Sequence, residues 1–190
     1  MISPENASGI GLQTFRDFWL DAQHDLSPSA LAAHRLQPIV VPDVPTEEEL
    51  RLWCNTAKMQ GELDVDAFVY EYQTNQRGRR MPVSFGNMQD FLFGNTGYYR
   101  TLITQSKSFI MHCDQSSEYH LIAVHPSALQ HFAALLIQAN SEWDKLLHSP
   151  QTREAERDHI THLLRKYGMP AQHNLAEAQT PNARLGPPQV

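Results

Sequence analysis

Cysteine is nearly absent from this 190-residue sequence, and long apolar runs and basic charge are both in short supply. The two cysteines, Cys54 and Cys113, lie outside any CxxC spacing and among apolar neighbours. That excludes a dense disulfide framework and leaves two core thiols as the expectation. The longest apolar run, residues 132–137, falls far short of the ~18 apolar residues a membrane span needs. Residues 1–6 carry neither the basic start nor the apolar stretch of a signal peptide, so a cytoplasmic chain is expected. Lysine and arginine total 15 against 21 aspartates and glutamates, a net charge of −6. An acidic balance argues against broad nonspecific nucleic-acid binding, which draws on released counterions around basic side chains. Catalytic signatures are lacking too: no GxSxG elbow, Walker loop or GxGxxG occurs. Cys54 falls on the apolar face of a helix, and His112 beside Cys113 points the other way along a strand, so neither thiol suits a nucleophile.

What is present describes a globular domain. Apolar residues make up 41% and charged residues 19%, enough to bury a core without disulfides or metal. Leu12, Phe15, Phe18, Trp19 and Ala22 recur at helical spacing, predicting a helix over residues 12–24. Ser27-Pro28 opens a short second helix, and residues 38–41 form an apolar strand. Thr46 with Glu49 reads as a capping box starting a helix whose buried face is Leu50, Trp53, Cys54 and Ala57, ended by Gly61. Residues 65–73 read as a strand, 77–80 as a turn, 81–85 as a returning strand and 87–93 as a short helix. Residues 98–105 fit helix or strand. Residues 108–113 and 118–124 are two apolar runs around a polar turn, the strongest hairpin signal in the chain. A long helix follows His125-Pro126, with Leu129, Phe132, Ala133, Leu136, Trp143 and Leu147 as its buried stripe. A last helix spans residues 151–167.

The fold class expected is α+β: a small mixed or antiparallel sheet with a central hairpin at about residues 108–124, packed by N-terminal and two C-terminal helices. Residues 1–10 read as a flexible leader, 11–170 as one domain and 171–190 as a disordered tail.

Three constellations could carry chemistry. His112, Asp114, Glu118 and His120 cluster on the hairpin and would form a metal site if one face held them all. Strand parity decides this: an odd loop count unites the two histidines, and an even count parts them. An even count is the expectation, so no metal is favoured and no cofactor is expected. Glu156, His159 and His162 are spaced by three along the last helix, which reads as a solvated face. Finally, Arg77, Arg79 and Arg80, with Tyr98, Tyr99 and Arg100, make the favoured binding surface, pairing guanidinium forks with stacking rings.

Residues 45–63, followed by a strand and then Gly78-Arg79-Arg80, resemble the capped helix and phosphate-contacting segment of ParB/sulfiredoxin-fold domains. The strand–helix–strand–strand–helix order of residues 38–93 is similar as well. The resemblance implies a nucleotide- or DNA-acting protein using Arg77, Arg79 and Arg80. Without a coherent catalytic set, the residues themselves favour a non-catalytic bacterial-type accessory protein of inhibitor, immunity or adaptor type. It would bind and modulate another macromolecule, most readily a protein, through an acidic or aromatic surface. A metal-dependent enzyme at the hairpin is the third expectation.

Overall fold

Thr46 and Glu49 close the capping box that the sequence announces. The Thr46 hydroxyl accepts from the Glu49 N–H at 3.2 Å, and the Glu49 carboxylate accepts from the Thr46 N–H at 2.6 Å. The helix they start, α3 (Glu47–Met59), buries Leu50, Trp53, Cys54 and Ala57 as its spacing requires. Just beyond it Gly61 takes φ +84°, a left-handed conformation that costs a residue without a Cβ little. Thr46→Ala removes one half of the box, so it is expected to cost about 1 kcal/mol, read by urea melts.

The computed structural model describes residues 11–70 and 77–169. The expected leader (residues 1–10), the expected tail (171–190) and the end of the strand expected through residue 73 lie outside the described residues. In chain order come α1 (Leu12–Trp19), α2 (Pro28–Ala33), β1 (Gln37–Pro42), α3, β2 (Asp64–Tyr70), β3 (Arg77–Pro82) and α4 (Phe85–Phe93). Then follow β4 (Tyr99–Thr104), β5 (Phe109–Cys113), β6 (Tyr119–Val124), a 3-10 segment (Pro126–Phe132), α5 (Ala133–His148) and α6 (Glu154–Lys166). The strands form a six-stranded sheet in the order β1-β6-β5-β4-β2-β3, with every adjacent pair antiparallel. The fold is α+β with an antiparallel sheet.

Helices cover both sheet faces. Against the first face, α3, α4, the 3-10 segment and the start of α5 pack around Ile39, Trp53, Leu102, Met111 and Phe132. Against the second, α1, α2, α6 and the far end of α5 pack around Phe15, Phe68, Ile110, Leu121 and Trp143. Alternation along each strand sends neighbouring side chains to opposite layers. Both hairpin strands, β5 and β6, are buried on both faces, and this is why each reads as a near-continuous apolar run.

Three local expectations change and one open alternative is decided. Residues 77–80 belong to β3 rather than to a turn: Arg79 pairs with Ala67 and Arg80 with Asp66. A charged run at a sheet edge imitates turn composition, because an edge strand needs few apolar residues. The first helix ends at Trp19, where Leu20 and Leu26 bridge and pin the chain into a loop. His125-Pro126 opens a 3-10 segment before α5, and Leu135 and Ala139, not Ala133, are buried on α5. Residues 98–105 resolve as strand β4, since Tyr99, Thr101 and Ile103 face one layer and Arg100 and Leu102 the other.

Candidate functional site

The loop between α1 and α2 is tied by its own aspartates. One Asp21 carboxylate oxygen accepts from the N–H groups of Gln23 (2.9 Å) and Asp25 (3.2 Å), and the Asp21 N–H donates to the Asp25 carbonyl at 2.9 Å. His24 takes φ +66° to close the turn. Short polar side chains that bond their own backbone favour such turns. The result presents both carboxylates to α6, where Lys166 Nζ lies 2.6 Å from Asp21 and 2.7 Å from Asp25. The other oxygen of Asp25 accepts from the Tyr119 hydroxyl at 2.6 Å. Tyr119 is the first residue of β6, so loop, strand and last helix meet at one point.

Behind this cluster, on the second face, Tyr70, Thr101 and His112 join neighbouring strands. The Tyr70 hydroxyl lies 3.2 Å from Thr101 Oγ1 and 3.3 Å from His112 Nδ1, and Thr101 Oγ1 lies 2.9 Å from the same Nδ1. Tyr99 stacks on Tyr70 with ring centroids 5.4 Å apart, and its hydroxyl donates to the Gln23 carbonyl at 3.5 Å.

Asp21, Asp25, Tyr99, Tyr119 and Lys166 wall a cavity of about 730 Å³. Its charged lining comprises the carboxylates of Asp21, Asp25, Asp114 and Glu118 and a single amine, Lys166; His159 and His162 complete the rim. A groove of about 580 Å³ between α5 and α6 shares Glu118, Tyr119, His159 and Leu163 with the cavity. It continues over Trp143, Leu146 and Ile160. An acidic chamber therefore opens beside an apolar trough. His159 and His162, expected on a solvated face, border the chamber, and His159 lies 3.8 Å from Glu118.

The electrostatics favour holding charge over moving protons. Burial works to raise the Asp25 carboxyl, but the hydrogen bonds from Lys166 and Tyr119 outweigh it and hold it below its ordinary value. Burial alone would lower Lys166, yet its bonds to Asp21 and Asp25 raise it. Burial, with the Asp25 charge adding to it, drives the Tyr119 hydroxyl far up, and burial brings His112 down to about 4. All four are fixed in one protonation state near neutrality, whereas a general acid or base works best with a pKa near the operating pH. Asp114 alone moves toward neutrality. Burial raises it against the N–H groups of Tyr119 and Ser116, which its carboxylate accepts to shape the turn.

The hairpin register pairs His112 with Leu121 and Cys113 with His120, an even loop count. His112 thus faces the second layer, while His120 faces the first, its Nδ1 2.9 Å from the Asp43 carbonyl and its Nε2 3.6 Å from Glu49. Among the described residues, no group of three or more His, Cys, Asp or Glu is arranged to hold a metal ion.

The arginine–tyrosine surface divides. Arg100 is 1% exposed and lies inside the protein, donating to the Leu92 carbonyl (3.2 Å), the Asp114 carbonyl (2.9 Å) and the Ser117 hydroxyl (3.0 Å). Arg80 donates to Asp66 at 3.1 Å on the second face. Arg79 is exposed on the first face, its guanidinium 5.6 Å from the centre of the Phe91 ring. Tyr98 packs against the first core layer, and Tyr99 belongs to the acidic cavity. The side chain of Arg77 lies outside the described residues. Asp21, Asp25, Tyr119 and Lys166 escape sequence reasoning, because their spacing along the chain carries no motif. Only the Asp-x-x-x-Asp loop offers a local cue.

The element order β1-α3-β2-β3-α4 is present, but β1 lies at the opposite edge of the sheet from β3. No protein-family model, curated protein or solved structure matches this chain.

Proposed function

We propose that this chain is a non-catalytic accessory protein, of inhibitor, immunity or adaptor type, that binds another protein by taking a basic side chain of it into the acidic cavity. An adjacent apolar side chain of the same segment lies in the trough over Trp143, Leu146 and Ile160. The observation that carries this reading is the charge of the chamber: four carboxylates face one amine, and that amine is already held between two of them. A half-buried chamber with surplus negative charge favours a guanidinium or ammonium, because desolvated charge pairs are screened less than surface ones. Tyr99 on the wall adds an aromatic face suited to a cation. The net charge of −6 works in the same direction by drawing basic partners in from a distance.

The reading is tested by calorimetric titration of the full chain with two tetrapeptide amides, Arg-Leu-Arg-Leu and Glu-Leu-Glu-Leu. The basic peptide is expected to bind and the acidic one not, with affinity falling as salt rises. Asp21→Asn combined with Glu118→Gln is expected to weaken binding about tenfold, roughly 1.4 kcal/mol, while thermal melts confirm a folded chain. Equal binding of both peptides, or binding that the double variant leaves intact, would overturn the reading.

A further inference from the structure

The two edges of the sheet are finished differently. At the β1 edge, the backbone groups that point away from β6 belong to Pro38, Val40 and Pro42. Two of these have no N–H, and Val40 is covered: its N–H reaches Met169 Sδ at 3.1 Å and its carbonyl accepts from the Trp143 indole at 2.8 Å. That edge is closed.

At the β3 edge the pattern follows from one bond. The Val83 N–H donates to the Leu63 carbonyl at 2.8 Å, one step beyond the pairing of Asp64 with Pro82. In an antiparallel pair, bonded and non-bonded positions alternate. Met81, Arg79 and Arg77 therefore direct their backbone groups to β2, and Gly78, Arg80 and Pro82 direct theirs outward. Pro82 has no N–H, and its carbonyl accepts from Asn87 Nδ2 at 3.1 Å. Gly78 and Arg80 remain, with two N–H groups and two carbonyls that no strand of the described residues takes.

We propose that this stretch of β3 receives an extended acidic segment of a partner protein as an added strand. Gly78 lies opposite Phe68 with no side chain of its own, and a glycine within a strand admits close approach of another backbone. The added strand has a short register, pairing at Gly78 and Arg80 and stopped at Pro82. Charge selects its chemistry. Arg79 is exposed beside the edge on the first face, Arg80 lies half-buried on the second, and residue 77 is a third arginine, all within an otherwise acidic chain. Carboxylates at alternate positions of the incoming strand share one face and meet the exposed Arg79 on the first face, while backbone bonds supply the pairing. The surface is separate from the acidic cavity and takes a partner of the opposite charge, so either proposal can fail without the other.

The test is amide hydrogen exchange on the full chain with the probe peptide Val-Glu-Val-Glu-Val-Glu, capped at both ends. Exchange at the Gly78 and Arg80 amides is expected to slow at least tenfold, with the Arg79 and Met81 amides unchanged. The same peptide N-methylated along one edge is expected to give no protection. Gly78→Pro, which removes an outward N–H without touching a bond to β2, is expected to abolish binding, and Arg79→Glu to weaken it several-fold. Absence of protection at millimolar peptide overturns the proposal, as does protection at Gly78 that the N-methylated peptide reproduces. Protection that appears with protein concentration alone would instead assign the edge to a second copy of this chain. Protection by a single-stranded oligonucleotide but not by the peptide would assign it to nucleic acid.

Discussion

Arg100→Ala is expected to destabilise the fold by about 3–4 kcal/mol, although a sequence reading places this arginine on a binding surface. Its guanidinium is 1% exposed and makes three hydrogen bonds, to the Leu92 carbonyl near the end of α4, the Asp114 carbonyl and the Ser117 hydroxyl. Through them it ties α4 to the β5–β6 turn. Hydrogen bonds from a charged donor contribute about 1.5–3 kcal/mol each, less than additively, and alanine leaves buried acceptors unmet beside a void. Arg79, exposed over Phe91, provides the internal comparison: Arg79→Ala is expected to change stability by no more than about 0.5 kcal/mol. Urea melts check both, with the midpoint falling and the slope unchanged for Arg100→Ala. Equal effects of the two substitutions would contradict the buried role of Arg100.

Acid is expected to weaken the fold well above the ordinary carboxylate range. Burial lowers His112 to about 4 from 6.5, and it lowers His120 as well. In the folded state both rings are neutral, while the unfolded chain takes up protons as pH falls below about 6.5. The contribution of His112 is therefore fully present above that pH and is lost progressively as pH falls from about 6.5 toward 4, and the lowered His120 adds a loss of the same sign. At about 1.4 kcal/mol per unit, His112 alone accounts for roughly 3 kcal/mol across that window. Asp114, raised in the folded state, works in the opposite sense, gaining stability as pH falls through its folded value. Asp25, lowered by its partners, adds a loss only below its ordinary value of 3.8. Urea melts at intervals from pH 7 to 4.5 measure the slope. His112→Leu is expected to flatten it, at a cost at pH 7 because Thr101 and Tyr70 lose a bonding partner. A flat profile in the parent protein would contradict the buried, neutral state of His112.

Elements whose signals are local were legible in the sequence. The α3 capping box, its apolar stripe and Gly61 follow from adjacent residues, and the even hairpin count follows from a compact polar turn between two apolar runs. What escaped depends on distance along the chain. β4 reads ambiguously because its alternation serves two different layers, with Tyr99 and Thr101 facing one and Arg100 the other. β3 resembles a turn because an edge strand carries charge where a central strand carries valine or isoleucine. The acidic cavity is the extreme case, since Asp21 and Asp25, Tyr119 and Lys166 come from three distant segments. No spacing rule joins them; only the packing of α6 against the loop and β6 does. Charge balance gave only the coarse indication, an acidic chain, and the fold brings four of its carboxylates to one chamber.

The most direct measurement is a ¹H–¹⁵N correlation titration of the full chain with the Arg-Leu-Arg-Leu amide. The expected result is a set of shifts confined to residues 21–25, Tyr99, residues 114–119 and the α6 face bearing His159, His162 and Lys166, with Gly78 and Arg80 unmoved. Shifts centred on β3 with the cavity silent, or no shifts at any peptide concentration, would contradict it.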